Sequence, residues 1–90
     1  MQAKHEEGLI NPYVHKIQAL AVKAVDGENV KTRVEAAVKE ALEHFAVVKS
    51  SSPAANVAAF KGRLKIMAEV TPANQPEYEK TLEYAASLIP

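Results

Sequence analysis

The chain contains no cysteine and no tryptophan. Without cysteine it can form no disulfide, no thiolate metal site and no thiol nucleophile. No apolar run approaches the roughly eighteen residues that cross a membrane, and the first residues lack the apolar segment of a signal peptide. We therefore expect a cytoplasmic protein that uses no cofactor and no membrane.

Net charge is absent as well, because eleven basic residues balance eleven acidic ones. Proteins that hold nucleic acid usually carry a basic excess, since neutralising phosphates drives that binding. Nucleic acid is therefore not the partner we favour, and any steering of a partner would come from local patches of charge.

Large aromatic side chains are few, with two Phe and three Tyr in 90 residues. The composition of 48% hydrophobic and 24% charged residues is that of a globular domain. Much of the hydrophobic share is Ala and Val, so we expect helices that approach closely. We expect a flexible N-terminal tail over residues 1–10 and a single helical domain over residues 11–90.

Three prolines each stand at the head of an amphipathic run, in the pairs Asn11-Pro12, Ser52-Pro53 and Gln75-Pro76. Proline suits the first helical position, where a backbone N–H would have no partner. These positions predict helices that begin at Pro12, Pro53 and Pro76. A further amphipathic run follows Asn29, which can cap a helix from Val30.

Four helices joined by short connections predict an all-α fold, a single small four-helix up-down-up-down bundle. A competing interpretation is an α+β fold with a β-hairpin at residues 20–34, because Asp26-Gly27 is a turn signal between Val-rich flanks. Alanine occurs in every candidate element and weighs against the hairpin.

The histidines offer little chemistry. His44 follows Glu40 by four residues, a spacing that can hold a metal, but one such pair is half a site. A cationic side chain near a helix C-terminus explains His44 more simply. With no nucleophile–base pair and no glycine-rich phosphate loop, we expect no enzyme, and a ligand-binding or metal-assisted enzyme using His15 or His44 is the least favoured hypothesis.

Basic residues are concentrated in the third predicted helix and the turn before it, at Lys49, Lys61, Arg63 and Lys65. This basic patch supports an alternative hypothesis, a regulator that binds nucleic acid. Lys61 and Lys65 share a helix face, whereas Arg63 points to another side, so the group forms no single phosphate clamp.

Surplus apolar residues give the favoured hypothesis. Ala19 and Val22 fall outside the main stripe of the first helix, and Tyr84 lies at the edge of the last stripe. If these residues do not fill the core, another protein or a second copy must cover them. We therefore expect a non-enzymatic protein–protein interaction module, such as an adaptor, inhibitor or regulatory subunit, whose partner surface includes Ala19, Val22 and Tyr84.

Overall fold

The computed structural model describes residues 7–48 and 52–90. Four helices occupy these ranges, namely α1 (Glu7–Val25), α2 (Lys31–Val47), α3 (Pro53–Glu69) and α4 (Pro76–Ser87). Each helix contacts the other three. The chain is therefore an all-α four-helix bundle with up-down-up-down topology, as predicted.

The alternative hairpin at residues 20–34 is wrong. Helix α1 continues through Val25, and α2 already begins at Lys31. The Asp26-Gly27 turn is present, but it joins two helices, with Gly27 at a φ of 96°. Glycine takes this left-handed backbone without the steric penalty of a side chain. A turn signal between apolar flanks did not distinguish helices from strands here.

The predicted start of the first helix at Pro12 is also wrong, because α1 begins at Glu7 and includes Pro12. A proline inside a helix costs about 3 kcal/mol. The first turn is nevertheless anchored, since Ile10 is 1% exposed and Leu9 packs against the core. Burying a side chain of this size contributes about 1.5–3 kcal/mol, enough to offset much of that cost.

The expected boundary between a tail and the helical domain therefore falls within α1. Residues 7–10 of the expected tail are helical. The rest of that tail, residues 1–6, lies outside the described residues.

The other helix starts follow local signals. Ser52 Oγ accepts a hydrogen bond from the Ala55 N–H at 3.2 Å, directly before Pro53 opens α3. The N-cap residue of α2 is Val30, which supplies no side-chain cap, so the predicted cap by Asn29 is wrong. Asn29 lies one residue earlier, and its Oδ1 accepts from the Lys31 N–H at 3.2 Å. Helix α4 opens at Pro76 with no side-chain cap. The negative charges of Glu77 and Glu79 lie in its first turn, where they interact favourably with the positive end of the helix dipole.

The core is continuous across all four helices, and its fully buried large side chains include Phe45, Phe60, Ile17, Leu64 and Leu82. Aromatic rings join three helices at one end. Tyr13 of α1 meets Phe45 of α2, and Phe45 meets Phe60 of α3, each pair with ring centroids 5.6 Å apart and in edge-to-face geometry. The described residues of the core also include one fully buried amide, Asn56.

Candidate interaction face

Helices α1 and α3 lie side by side and run in the same direction. Arg63 Nη1 of α3 donates to Asn11 Oδ1 of α1 at 2.7 Å. Seven residues further along each helix, Gln18 and Val70 line one surface groove. Because both helices advance by the same seven residues between these contacts, they stay in register over two turns.

The outer side of this helix pair carries exposed side chains from both helices. Residues three or four positions apart share one side of a helix, so His15 and Val22 lie on the same side of α1 as Asn11 and Gln18. On α3 the outward positions belong to Gly62 and Ile66, followed by the C-cap residue Val70. We name this surface the α1/α3 face, defined by His15, Gln18, Val22, Gly62, Ile66 and Val70.

Large aliphatic side chains are concentrated on the α1/α3 face. Val22 is 52% exposed, Ile66 61% and Val70 74%. Two other large aliphatic residues in the described ranges are comparably exposed, Val25 in the last turn of α1 and Val47 on α2. The face therefore holds three of these five side chains.

Charged groups lie mostly beyond the α1/α3 face. Lys16 turns toward α2, where its Nζ lies 2.8 Å from Glu40 Oε1. Lys61 and Lys65 line a groove between α3 and α4, on the other side of α3. Arg63 stands at one end of the face and is bonded to Asn11. Exposed Glu69 lies at its margin, three residues after Ile66.

A glycine lies beside the exposed aliphatic side chains of α3. Gly62 lies four residues before Ile66, in the interior of α3. A Cβ atom at Gly62 would meet nothing within 4 Å, so packing within the chain does not require glycine there. Glycine in a helix interior costs about 1 kcal/mol relative to alanine.

One of the three predicted interaction residues, Val22, lies on this face. Ala19 is also exposed on α1, but it lines a groove between α1 and α2 together with Lys16 and Glu40. Tyr84 is elsewhere, half-buried in a groove between α2 and α4, where its hydroxyl donates a hydrogen bond to Glu35 of α2. That bond to the carboxylate, with desolvation and the negative charge of Glu35, raises the pKa of Tyr84. The structure does not bring Tyr84 to Ala19 and Val22.

The basic residues do not form one patch. Lys49 lies outside the described residues. Lys61 and Lys65 share their groove with the carboxylate of Glu83. Arg63 extends to Asn11 on the opposite side of α3. The three described cations therefore occupy two sides of one helix.

The two described histidines, His15 and His44, are both exposed. His44 Nδ1 lies 2.7 Å from the Tyr13 hydroxyl, and the two rings meet edge to face. Glu40, the predicted companion of His44, pairs with Lys16, whose hydrogen bond and charge lower the pKa of Glu40. The same pair raises the pKa of Lys16. His15 is exposed on the α1/α3 face.

The sequence-based interpretation missed Ile66 and Val70. Ile66 lies on the side of α3 away from the buried residues Phe60 and Leu64. Val70 is the exposed C-cap residue that follows the helix. The available signal was the position of Ile66, which falls outside the predicted core stripe just as Val22 does on α1. What the sequence could not provide was the contact between α1 and α3, which places these residues on one surface.

Neither a membrane crossing nor a metal site emerges from the described part of the chain. None of its helices combines the length and apolar character that a bilayer requires. No three His, Asp or Glu side chains within residues 7–48 and 52–90 are placed to share a metal ion. The chain matches no protein-family model, and comparison with curated proteins and with solved structures finds no similar protein.

Proposed function

We propose that this chain is a non-enzymatic protein–protein interaction module that binds its partner through the α1/α3 face. One observation carries this proposal: three of the five exposed large aliphatic side chains lie on that face. Isolated exposed aliphatic residues are normal on a protein surface, whereas a group bordered by polar residues is typical of an interaction site.

The distribution of charge supports the same function. The centres of protein interfaces are depleted in charged residues, because burying an unpaired charge is costly. Lys16 is paired with Glu40, and Lys61 and Lys65 lie toward α4. A partner can therefore cover Val22 and Ile66 without desolvating these lysines.

The binding mechanism is burial of apolar surface between helices. Each of Val22, Ile66 and Val70 is at least half exposed. Covering the exposed part of such a side chain contributes about 1 kcal/mol at roughly 25 cal/mol per Å². In this role the chain acts in the cytoplasm as an adaptor, an inhibitor or a regulatory subunit, with no catalysis of its own.

The test is affinity capture from a lysate with wild type, Val22→Asp and Ile66→Asp. Val47→Asp is the matched control, because Val47 is 81% exposed on α2 and lies off the face. We expect the wild type and the control to capture the same proteins, and both face variants to lose them, since aspartate would be buried at the contact. Circular dichroism confirms that all variants remain helical.

Equal capture by the face variants and the control would contradict the proposal. Half of each sample is treated with nuclease before capture. Material lost from the nuclease-treated half alone would favour the alternative of nucleic-acid binding through Lys49, Lys61, Arg63 and Lys65.

A further inference from the structure

A groove at the C-terminal end of α3 continues the α1/α3 face. It has a volume of about 380 Å³ and includes two residues of the face, Gln18 and Val70. Its other lining residues belong to the last turn of α3, the connection to α4 and the start of α4, namely Met67, Thr71, Pro72, Gln75 and Tyr78. We name it the Tyr78 groove. Sites for small ligands occupy about 300–1,000 Å³, so this groove has room for one large side chain but not for a helix.

We infer that the Tyr78 groove binds an aromatic side chain with a polar tip, tryptophan or tyrosine, that the partner of the α1/α3 face presents. This inference rests on the proposed function, since it identifies one side chain of the partner on the same surface. Tryptophan and tyrosine are also the residues that most often fill pockets at the energetically dominant points of protein interfaces.

The lining of the groove is uncharged. Among the described residues that line it, none is Lys, Arg, His, Asp or Glu. The grooves between α2 and α4, between α1 and α2 and between α3 and α4 are each lined by side chains of both charges. Covering the Tyr78 groove therefore desolvates no ionised group of this chain. A charged occupant would be buried there without a counter-charge, which is costly.

Two side chains of the groove suit contact with an aromatic ring. The thioether of Met67 is polarisable, and contacts between sulfur and an aromatic ring are favourable. The ring of Tyr78 can meet a second ring in edge-to-face or offset geometry. Met67 and Tyr78 are both half-buried and pack against the core, so the bundle holds them in place. An aliphatic occupant would gain burial but neither of these contacts.

Polar groups of the groove are available to the polar tip of the occupant. In the described part of the chain, no hydrogen bond is made by the side chains of Gln18, Gln75 and Tyr78. A buried indole N–H or phenol O–H needs a hydrogen-bond partner, and amide and hydroxyl oxygens can accept from it. Thr71 is already engaged, because its hydroxyl donates to the Met67 carbonyl oxygen at 2.7 Å.

The connection that forms one wall of the groove is held by backbone hydrogen bonds. The Thr71 N–H donates to the Ala68 carbonyl oxygen at 3.2 Å, and the Gln75 N–H donates to the Pro72 carbonyl oxygen at 3.0 Å. The ring of Pro72 also fixes its own φ. The groove is therefore largely preformed, as small-ligand sites usually are, and an occupant need not order this wall, which would reduce its affinity.

The first test is an NMR titration of isotope-labelled wild type with N-acetyl-L-tryptophanamide as the probe. We expect saturable shifts of the backbone amides of Val70, Thr71 and Tyr78, and none around Val47 on α2. Half-saturation should fall in the millimolar range, because one side chain supplies only part of the affinity of an interface. Absence of saturable shifts at the groove would overturn the inference.

N-acetyl-L-leucinamide is the matched probe without a ring. It should shift the same backbone amides at higher concentration only, because it gains burial without the contacts to Met67 and Tyr78. Equal half-saturation by the two probes would overturn the aromatic occupant.

The second test is the same titration on two variants. Val70 lines the groove and is 74% exposed, so Val70→Asp should leave the fold intact, which circular dichroism checks. The probe would partly desolvate the new carboxylate, and its affinity should fall by about tenfold or more. Val22→Asp changes the α1/α3 face outside the groove and should bind the probe as the wild type does. Unchanged affinity in Val70→Asp would overturn the site.

The two proposals fail in different ways. If Val22→Asp abolishes capture from the lysate while the wild type shows no saturable shift at the groove, the aromatic site is wrong and the interaction face stands. If the probe binds at the groove while Val22→Asp and Ile66→Asp capture the same proteins as the wild type, the face is wrong and the groove alone remains as a site for an aromatic ring.

Discussion

Phe45 and Phe60 meet edge to face in the core, with ring centroids 5.6 Å apart and ring planes at 83°. Both side chains are fully buried. The contact joins α2 to α3 across the connection that includes Ser52. Edge-to-face pairs add about 0.5–1.5 kcal/mol beyond the burial of the rings, so this pair is a major contact between the second and third helices.

Phe60→Ala should therefore destabilise the bundle by about 3–5 kcal/mol, since it removes both the ring and its contacts and leaves a cavity. The free energy of unfolding of a domain of this size is about 5–15 kcal/mol in total, so the variant should be close to unfolding at room temperature. Urea unfolding followed by circular dichroism measures the change. Val47→Ala changes a side chain that is 81% exposed, so its free energy of unfolding should stay within about 0.5 kcal/mol of the wild-type value. Similar losses for both variants would contradict the burial of Phe60.

Ser52→Ala should cost about 1 kcal/mol, because the hydroxyl that accepts from the Ala55 N–H is lost. Ser52→Asp is the matched variant, since its carboxylate can accept the same hydrogen bond and favours the positive end of α3. The midpoint temperature of thermal unfolding should be close to the wild-type value for Ser52→Asp and lower for Ser52→Ala. If Ser52→Asp were as unstable as Ser52→Ala, the capping role would be refuted.

Glu40→Gln should lower the free energy of unfolding at neutral pH and have no effect in strong acid. Lys16 holds the pKa of Glu40 below its ordinary value in the folded chain. The pair therefore stabilises the fold above the unfolded-state pKa of about 4.3, and this contribution disappears as pH falls through the lowered folded-state pKa. Urea unfolding at neutral and strongly acidic pH measures both values. A difference that persisted unchanged in acid would show that Glu40 acts by packing rather than by charge.

Gly62→Ala should stabilise the monomer by up to about 1 kcal/mol, because alanine favours the helix interior and its Cβ would meet nothing within 4 Å. Gly27→Ala is the control, and it should destabilise the fold, since Gly27 has a φ of 96° that strains other residues. Thermal unfolding of the two variants beside the wild type measures both changes, and a loss of stability in Gly62→Ala would contradict the open space at that position.

The limits of α3 and the start of α4 could be predicted because their signals are local. Ser52 and Pro53 act within one helical turn, and Pro76 fixes its own φ. The start of α1 could not be read in the same way. There the burial of Ile10, a tertiary effect, outweighs the preference of Pro12 for the first position of a helix.

The composition of the interaction face was only half predictable. Val22 is apolar outside the stripe of its own helix, which a sequence pattern reveals. The position of Tyr84 depends on Glu35, 49 residues away in the chain, and no pattern within α4 reports that hydrogen bond. The pairing of α1 with α3 through Asn11 and Arg63 joins residues 52 apart.

The aromatic contacts from Tyr13 through Phe45 to Phe60 lie at one end of the bundle only. At the other end, the groove between α2 and α4 is lined by the aliphatic side chains of Ala24, Val30 and Val34 and by the half-buried ring of Tyr84. Local opening costs less where fewer apolar contacts must break. Backbone amides in the first turns of α2 should therefore exchange with solvent deuterium before those around Phe45, so that the bundle opens from the end away from the Tyr13–Phe45–Phe60 contacts.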